Sequence, residues 1–252
     1  MQFSLTIDDY KQTPVPLIMA FYRAMKVARV ETTIGIYRYP RLASVLKGKL
    51  GLGLHLPYFD QCGYDLGYVP GKERIHNFIE TVHRNQNRFT FDYAVFHPPE
   101  SDAQHASIPF LCENLRNLNL PVILENNLGS NFDTFLRIEE EIRGELGDGL
   151  AGICLDIPHA FLAKEKWQQF YQQFGSRIRV VHLSDCDGLE DSHLPFPFAG
   201  GLNLEDIMAE LMAFRFDGIL NFEIAPPSLH QIQTLFQTLR NAEKIYLKNK
   251  QK

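Results

Sequence analysis

Residues 152–185 read GICLDIPHAFLAKEKWQQFYQQFGSRIRVVHLSD. An apolar run at 152–156 is followed by a stretch with helical spacing and a polar face at 164–174, then by a second apolar run at 179–184. Two apolar β-type runs joined by an amphipathic helix form a βαβ unit, and such a connection obliges the strands to lie parallel. Both runs also end on groups that can do chemistry, in Asp156-Ile-Pro-His159 and in His182-Leu-Ser-Asp185.

The same alternation extends in both directions. Further strands are expected at 3–7, 27–33, 50–56, 93–97, 121–126 and 219–224, which with 152–156 and 179–184 makes eight. Helices are expected at 71–88, 108–118, 131–145, 164–174, 204–214 and 229–247, with two less regular ones at 14–25 and 40–47. Eight strands with crossover helices in 252 residues fit an α/β fold of the (β/α)8 TIM barrel type, one domain over residues 1–252. An open doubly wound sheet is the competing arrangement.

Composition agrees with a folded globular chain: 45% hydrophobic and 22% charged residues are enough to bury a sizeable core. A net charge of −5 supplies no basic footprint for a phosphate backbone and so argues against, without forbidding, nucleic acid. No stretch reaches the roughly 18 apolar residues of a membrane span, and a cytoplasmic location is expected. Cys62, Cys112, Cys154 and Cys186 lack both C-x-x-C spacing and the density of a disulfide scaffold, so reduced, buried thiols are expected.

In a TIM barrel the functional site lies at the C-terminal ends of the strands. Six expected strands end on metal-ligand residue types: His55, His97, Glu125, Asp156, His182 and Glu223. Singly, each reads as an ordinary rim residue; six in one register argue for a shared site, because carboxylates near a barrel mouth are costly unless paired or coordinated. His159, three residues after Asp156, can share its cavity from a strand-to-helix turn. Asp191 and His193 lie in the loop beyond the seventh strand, where an Asp-x-His pair needs a special backbone to aim both side chains the same way. The other four histidines, His76, His83, His105 and His230, read as surface residues. Imidazole and carboxylate without thiolate suit zinc, with manganese or iron next, better than calcium or magnesium. Cys154 and Cys186 read as packing residues.

At His55-Leu-Pro-Tyr58, His97-Pro, Leu124-Glu125-Asn126, Asp156-Ile-Pro-His159-Ala-Phe and His182-Leu-Ser-Asp185 the chain resembles the superfamily that unites endonuclease IV type apurinic endonucleases with xylose isomerase-like sugar isomerases and epimerases. That resemblance implies divalent metals held by His55, His97, Glu125, Asp156, His159, His182, Asp191, His193 and Glu223, three ions in the endonuclease branch. The sugar isomerases usually keep only the subset Glu125, Asp156, His182 and Glu223 around one metal. Two departures stand on the endonuclease side: Ile7-Asp8-Asp9-Tyr10 replaces a histidine- and glycine-rich loop, and Asp191-Ser-His193 runs on into Leu-Pro-Phe-Pro-Phe-Ala-Gly-Gly. The superfamily also contains a phosphodiesterase that cleaves cobamides.

The expectation is therefore a metal-dependent hydrolase of a phosphodiester, with Glu125 and Glu223 central to catalysis and Tyr58 lining the substrate pocket. The substrate is a small molecule such as a cobamide in preference to abasic DNA. The alternative is a metal-dependent sugar isomerase or epimerase in which Glu125 and Glu223 exchange a proton with carbon and Glu31 serves substrate binding. Tyr58, Phe59, Phe196 and Phe198 are aromatic candidates for stacking at the rim.

Overall fold

Successive side chains on a strand point to opposite faces, so in near-continuous apolar runs alternate residues face the barrel interior and the helices outside. The computed structural model describes residues 1–7, 27–39, 50–99, 105–128, 131–197, 201–224 and 229–250. Its strands are β1 (Gln2–Ile7), β2 (Arg29–Thr32), β3 (Gly51–His55), β4 (Tyr93–Phe96), β5 (Val122–Glu125), β6 (Leu150–Asp156), β7 (Ile178–Leu183) and β8 (Ile219–Phe222). They close in sequence order, β1 to β8 and back to β1, every pair parallel. All eight expected strands are present and the open-sheet alternative is excluded.

Around them run α1 (Phe59–Cys62), α2 (Lys72–Asn85), α3 (Ile108–Leu118), α4 (Phe132–Leu146), α5 (Ile157–Leu162), α6 (Trp167–Phe174), α7 (Leu204–Ala213) and α8 (Leu229–Lys250). The starts of several are written in the sequence. Ser107, Asn131 and Asn203 cap α3, α4 and α7 by accepting from backbone N–H groups of the first turn, which have no helical partner. Asn119 ends α3 in the left-handed region at φ 56°, and Pro121 then leads into β5.

The helix expected at 164–174 begins at Trp167, and α5 just before it was not expected. Its signal was local: Asp156 caps it and Pro158 sits in its first turn, so strand turns into helix without a loop. The helices expected at 14–25 and 40–47 lie outside the described residues.

Two apolar assemblies result. Outward-facing Leu54, Phe96, Leu124, Leu155, Val181, Leu183, Leu220 and Phe222 pack against helix residues such as Phe78, Leu115, Phe135, Phe170 and Leu211. Each such side chain contributes roughly 1.5–3 kcal/mol by leaving water. Inside the barrel, Tyr93, Val95, Ile123, Cys154 and Val180, with Ile219 against them, form a smaller plug. The next inward positions along the same strands are His55, His97, Glu125, Asp156, His182, Asn221 and Glu223. The layer above an apolar plug is thus almost wholly ionisable, and helix packing outside the barrel supplies the stability that this polar layer does not.

Gly53 makes room for part of this. It pairs with Tyr93 across β3 and β4, and a Cβ there would stand 2.5 Å from Tyr93 Cζ, well inside van der Waals contact. Gly53→Ala should therefore displace the Tyr93 ring and destabilise the protein by about 1–3 kcal/mol, the usual range for overpacking. Thermal unfolding checks this, and an unchanged melting temperature would contradict it.

Two expectations about single residues are corrected. Cys62 is exposed rather than buried, at the end of α1, whereas Cys112, Cys154 and Cys186 are buried; all four are free thiols. His76 is exposed as expected, but His83 and His105 are half-buried, His105 standing edge-on to Tyr68 at 6.0 Å. Of the His230 side chain nothing is described.

Candidate metal centre

Strand ends place the ligand types and short-range hydrogen bonds aim them. Asp156 ends β6 and caps α5, its Oδ1 accepting from His159 N at 2.5 Å. Asn126, just past β5, clamps the backbone of Asp156 in both directions, donating from Nδ2 to Asp156 O at 2.9 Å and accepting from Asp156 N at 2.8 Å. The β5 and β6 ends are thereby locked together, which fixes Glu125 relative to Asp156. A buried amide with both its groups used in this way is a positioning device that the motif Leu124-Glu125-Asn126 did not reveal.

Glu125 is the hub. It is fully buried, and His55 Nε2 and His97 Nε2 lie 3.3 and 3.2 Å from its Oε2. Its Oε1 lies 3.0 Å from His182 Nδ1 and 3.8 Å from His159 Nδ1. His182 Nδ1 in turn is 2.7 Å from Glu223 Oε2 and 3.9 Å from Asp156 Oδ2. Donor atoms of His55, Glu125, His182 and Glu223 converge within 4.8 Å of one another, and so do those of Glu125, Asp156 and His159, so Glu125 belongs to both groups.

Asp191 repeats the pattern at the rim, its Oδ2 standing 3.2 Å from His159 Nε2 and 3.0 Å from His193 Nε2. The special backbone that an Asp-x-His pair needs is present: His193 has φ 47°, in the left-handed region, and Asp185 and Leu194 close the loop with two backbone hydrogen bonds of 2.8 and 2.9 Å. The structure thus brings together all nine of the residues singled out for metal binding.

The histidines are further oriented by backbone carbonyls. Nδ1 of His55 meets Leu56 O at 3.0 Å, Nδ1 of His159 meets Asn126 O at 2.7 Å and Nδ1 of His193 meets Glu223 O at 3.1 Å. A ring that donates one N–H to a carbonyl presents its other nitrogen, Nε2, as a lone pair, the form a metal requires. Glu125 Oε2, buried and without a hydrogen-bond donor, is an acceptor whose need a cation meets. The donor set is nitrogen and oxygen only, which fits zinc, manganese or iron.

Electrostatics follow from the crowding. Burial alone would push Glu125 up, but the charges of His182 and His97, with a hydrogen bond from His182, hold it well below the carboxylate range. Glu223 is likewise opposed by burial and drawn down to about 2 by His182 and His193. Burial lifts Asp156 to about 7, offset in part by His159 and reinforced by Glu125 and Asp191. Against the lowering effect of burial, Asp191 and Glu223 raise His193 to about 9, and carboxylate neighbours raise His55 and His159 as well.

Tyr58 is half-buried, its ring stacked on His97 at 5.1 Å and 18° and edge-on to His55 at 6.0 Å. It walls two of the imidazoles. Phe59 packs edge-on against Tyr68, and Phe196 is buried, so neither stands free at the rim to stack on a substrate; Phe198 lies outside the described residues. Glu31, considered for substrate contact, is fully buried beneath the cluster, 2.9 Å from His182 Nε2.

Residues 45–245 match the model of a family described as the xylose isomerase-like TIM barrel. No curated protein matches the chain in sequence. Among solved structures, the fold is similar to an AP endonuclease, family 2, from Brucella melitensis, at TM-score 0.70 and 13% identity over 94% of this chain and 96% of that one. It is similar also to a D-tagatose 3-epimerase-like protein, at TM-score 0.68 and 17% identity over 99% of both chains. A third is a Thermus thermophilus protein from crystals soaked with ZnCl2, at TM-score 0.64 and 15% identity over 96% of this chain and 99% of that one.

Because metals bind only deprotonated ligands, metal affinity should rise with pH as Asp156 ionises near about 7 and His193 loses its proton near about 9. Below about 7 both groups hold protons that the ion must displace, so affinity is lowest there and rises through about 9. Calorimetric titration with zinc in buffers of different ionisation enthalpy checks this through proton release; binding that is flat with pH would contradict it.

Proposed function

The chain belongs to the xylose isomerase-like TIM barrel family, and on the architecture of its site we propose that it is a metal-dependent hydrolase cleaving a phosphodiester, acting on a small molecule in preference to DNA. The observation that carries this reading is the pair of carboxylates with imidazoles on both sides: Glu125 between His55 and His97 and the His182 and His159 pair, Asp191 between His159 and His193. A site for one ion needs no such bridges; a multinuclear hydrolase does.

Three ions account for every ligand type. His55 and His97 with Glu125 would hold the first, Glu125, Asp156, His182 and Glu223 the second, and His159, Asp191 and His193 the third. With the imidazoles neutral, the ligand carboxylates of Glu125, Asp156, Asp191 and Glu223 would set four negative charges against the six positive charges of three divalent ions. Such ions, when bound, lower the pKa of a water and neutralise charge on phosphoryl oxygens. The chain's own part is to fix the geometry. Asn126 ties Glu125 to Asp156, the carbonyls of Leu56, Asn126 and Glu223 select the ring nitrogens, and Tyr58 forms a wall beside the phosphate position.

Zinc is the ion proposed, and a cobamide-like phosphodiester is one substrate of suitable chemistry. The net charge of −5 speaks for a small substrate over a DNA duplex. Three buried free thiols fit a reducing compartment, the cytoplasm. No helix among the described residues is long and apolar enough to cross a membrane.

A sugar isomerase or epimerase is the second reading, favoured by Glu125 and Glu223 facing one another across His182 Nδ1, at 3.0 and 2.7 Å, as an acid and base pair about one metal would. Elemental analysis separates the two: about three ions per chain with turnover of bis(p-nitrophenyl) phosphate supports hydrolysis, whereas one ion with ketose epimerisation supports the alternative. Glu125→Gln should lower phosphodiester turnover by more than about 100-fold, beyond the cost of losing a partner outside the metal shell. Turnover within a few-fold of wild type would remove Glu125 from the mechanism. Cleavage of an abasic duplex in preference to the small ester would overturn the substrate class.

A further inference from the structure

Glu31 is a fully buried charge to which the proposed reaction gives no task. Placing a carboxylate inside a barrel costs several kcal/mol unless specific partners compensate, so its surroundings define its purpose. They come from five strands. His182 Nε2 of β7 lies 2.9 Å from Oε1; Tyr93 of β4 donates from its hydroxyl to Oε2 at 3.1 Å; Asn221 of β8 reaches Oε1 from Nδ2 at 3.4 Å and donates to Thr6 Oγ1 of β1 at 2.9 Å. Gly53 of β3 leaves the space that the Tyr93 ring fills.

His182 is itself fully buried, and its two nitrogens face different neighbours. Nδ1 is turned to Glu125, Glu223 and Asp156, while Nε2 makes no hydrogen bond and stands 2.9 Å from Glu31 Oε1 as a charge contact outside hydrogen-bond geometry. A neutral imidazole carries one proton, and a metal among Glu125, Glu223 and Asp156 needs the Nδ1 lone pair. Among the described residues no backbone carbonyl selects the tautomer here, as Leu56, Asn126 and Glu223 do for His55, His159 and His193. The Cys154 thiol, also close, is kept neutral by burial and cannot substitute for a carboxylate.

We propose that Glu31, held by Tyr93 and Asn221, is a positioning residue that keeps the proton of His182 on Nε2 and so turns Nδ1 to one metal position of the cluster. The proposal rests on the metal-site reading above and assigns Glu31 to one ion only. It takes Glu31 out of contact with substrate.

Wild type, Glu31→Gln and Tyr93→Phe are titrated with zinc by calorimetry, and protein with 15N-labelled histidine is examined by NMR. Glu31→Gln should lose about 10–100-fold in affinity for one ion while the remaining ions bind as in wild type. The 15N shifts of zinc-loaded wild type should show His182 protonated on Nε2, and those of Glu31→Gln a mixture of tautomers. Tyr93→Phe, which keeps the charge and removes one hydrogen bond, should weaken the same ion by a smaller factor and serves if Glu31→Gln does not fold. Unchanged affinity and tautomer in the variants overturn the role of Glu31, as does equal weakening of every ion. Wild type that takes up no zinc overturns the metal reading and this inference with it.

Discussion

A carboxylate shut away from water among imidazoles governs this molecule. Glu125 has no solvent exposure, and His55, His97, His159 and His182 stand within 3.0 to 3.8 Å of its two oxygens. Left uncompensated, such a charge would be among the most expensive groups in the chain. The arrangement persists because the groups around it are anchored at strand ends, or for His159 in the helical turn directly after β6, that cannot relax independently: β3 to β7 are hydrogen-bonded side by side, and their outer faces are locked under apolar helices. A floppy scaffold would let the carboxylate turn out to water; a closed barrel does not.

Division of labour between the two faces of each strand makes this possible. Outward positions are Leu, Phe, Ile and Val, and they hold the fold together. Inward positions change character along the strand, from the apolar plug of Val95, Ile123, Cys154 and Val180 to the ionisable layer above it. One register step separates a residue that packs from a residue that can bind a cation, as Cys154 and Asp156 illustrate on β6. The loop residues Asp191 and His193 lack that support and depend instead on the left-handed backbone of His193 and the Asp185 to Leu194 bridge.

Much of this was legible in the residues. Short apolar runs and recurrent βα units named the eight strands, and strand-terminal His, Asp and Glu named the cluster, because strand geometry converts sequence register directly into direction. What escaped was set by tertiary contacts. Helix α5 was missed although Asp156 and Pro158 carry its start signal, since it follows β6 with no loop to mark it. Asn126 and Tyr93 carry no sign in sequence that one clamps Asp156 and the other holds Glu31. Phe196 was expected at the rim yet is buried, because an aromatic in a loop says nothing about which side of the loop it faces. His105 is half-buried for the same reason, and His83 because a polar residue on an amphipathic helix does not show how far its flank sinks into the core.

Anomalous diffraction at the zinc absorption edge, from crystals grown with zinc, tests the central claim most directly. The account predicts ions on both sides of Glu125, about 2.0–2.2 Å from its oxygens and about 3.5–4 Å apart, with His55 and His97 on one and His182 and Glu223 on the other. A single ion that leaves His55 and His97 uncoordinated, or ions bound away from Glu125, would contradict it.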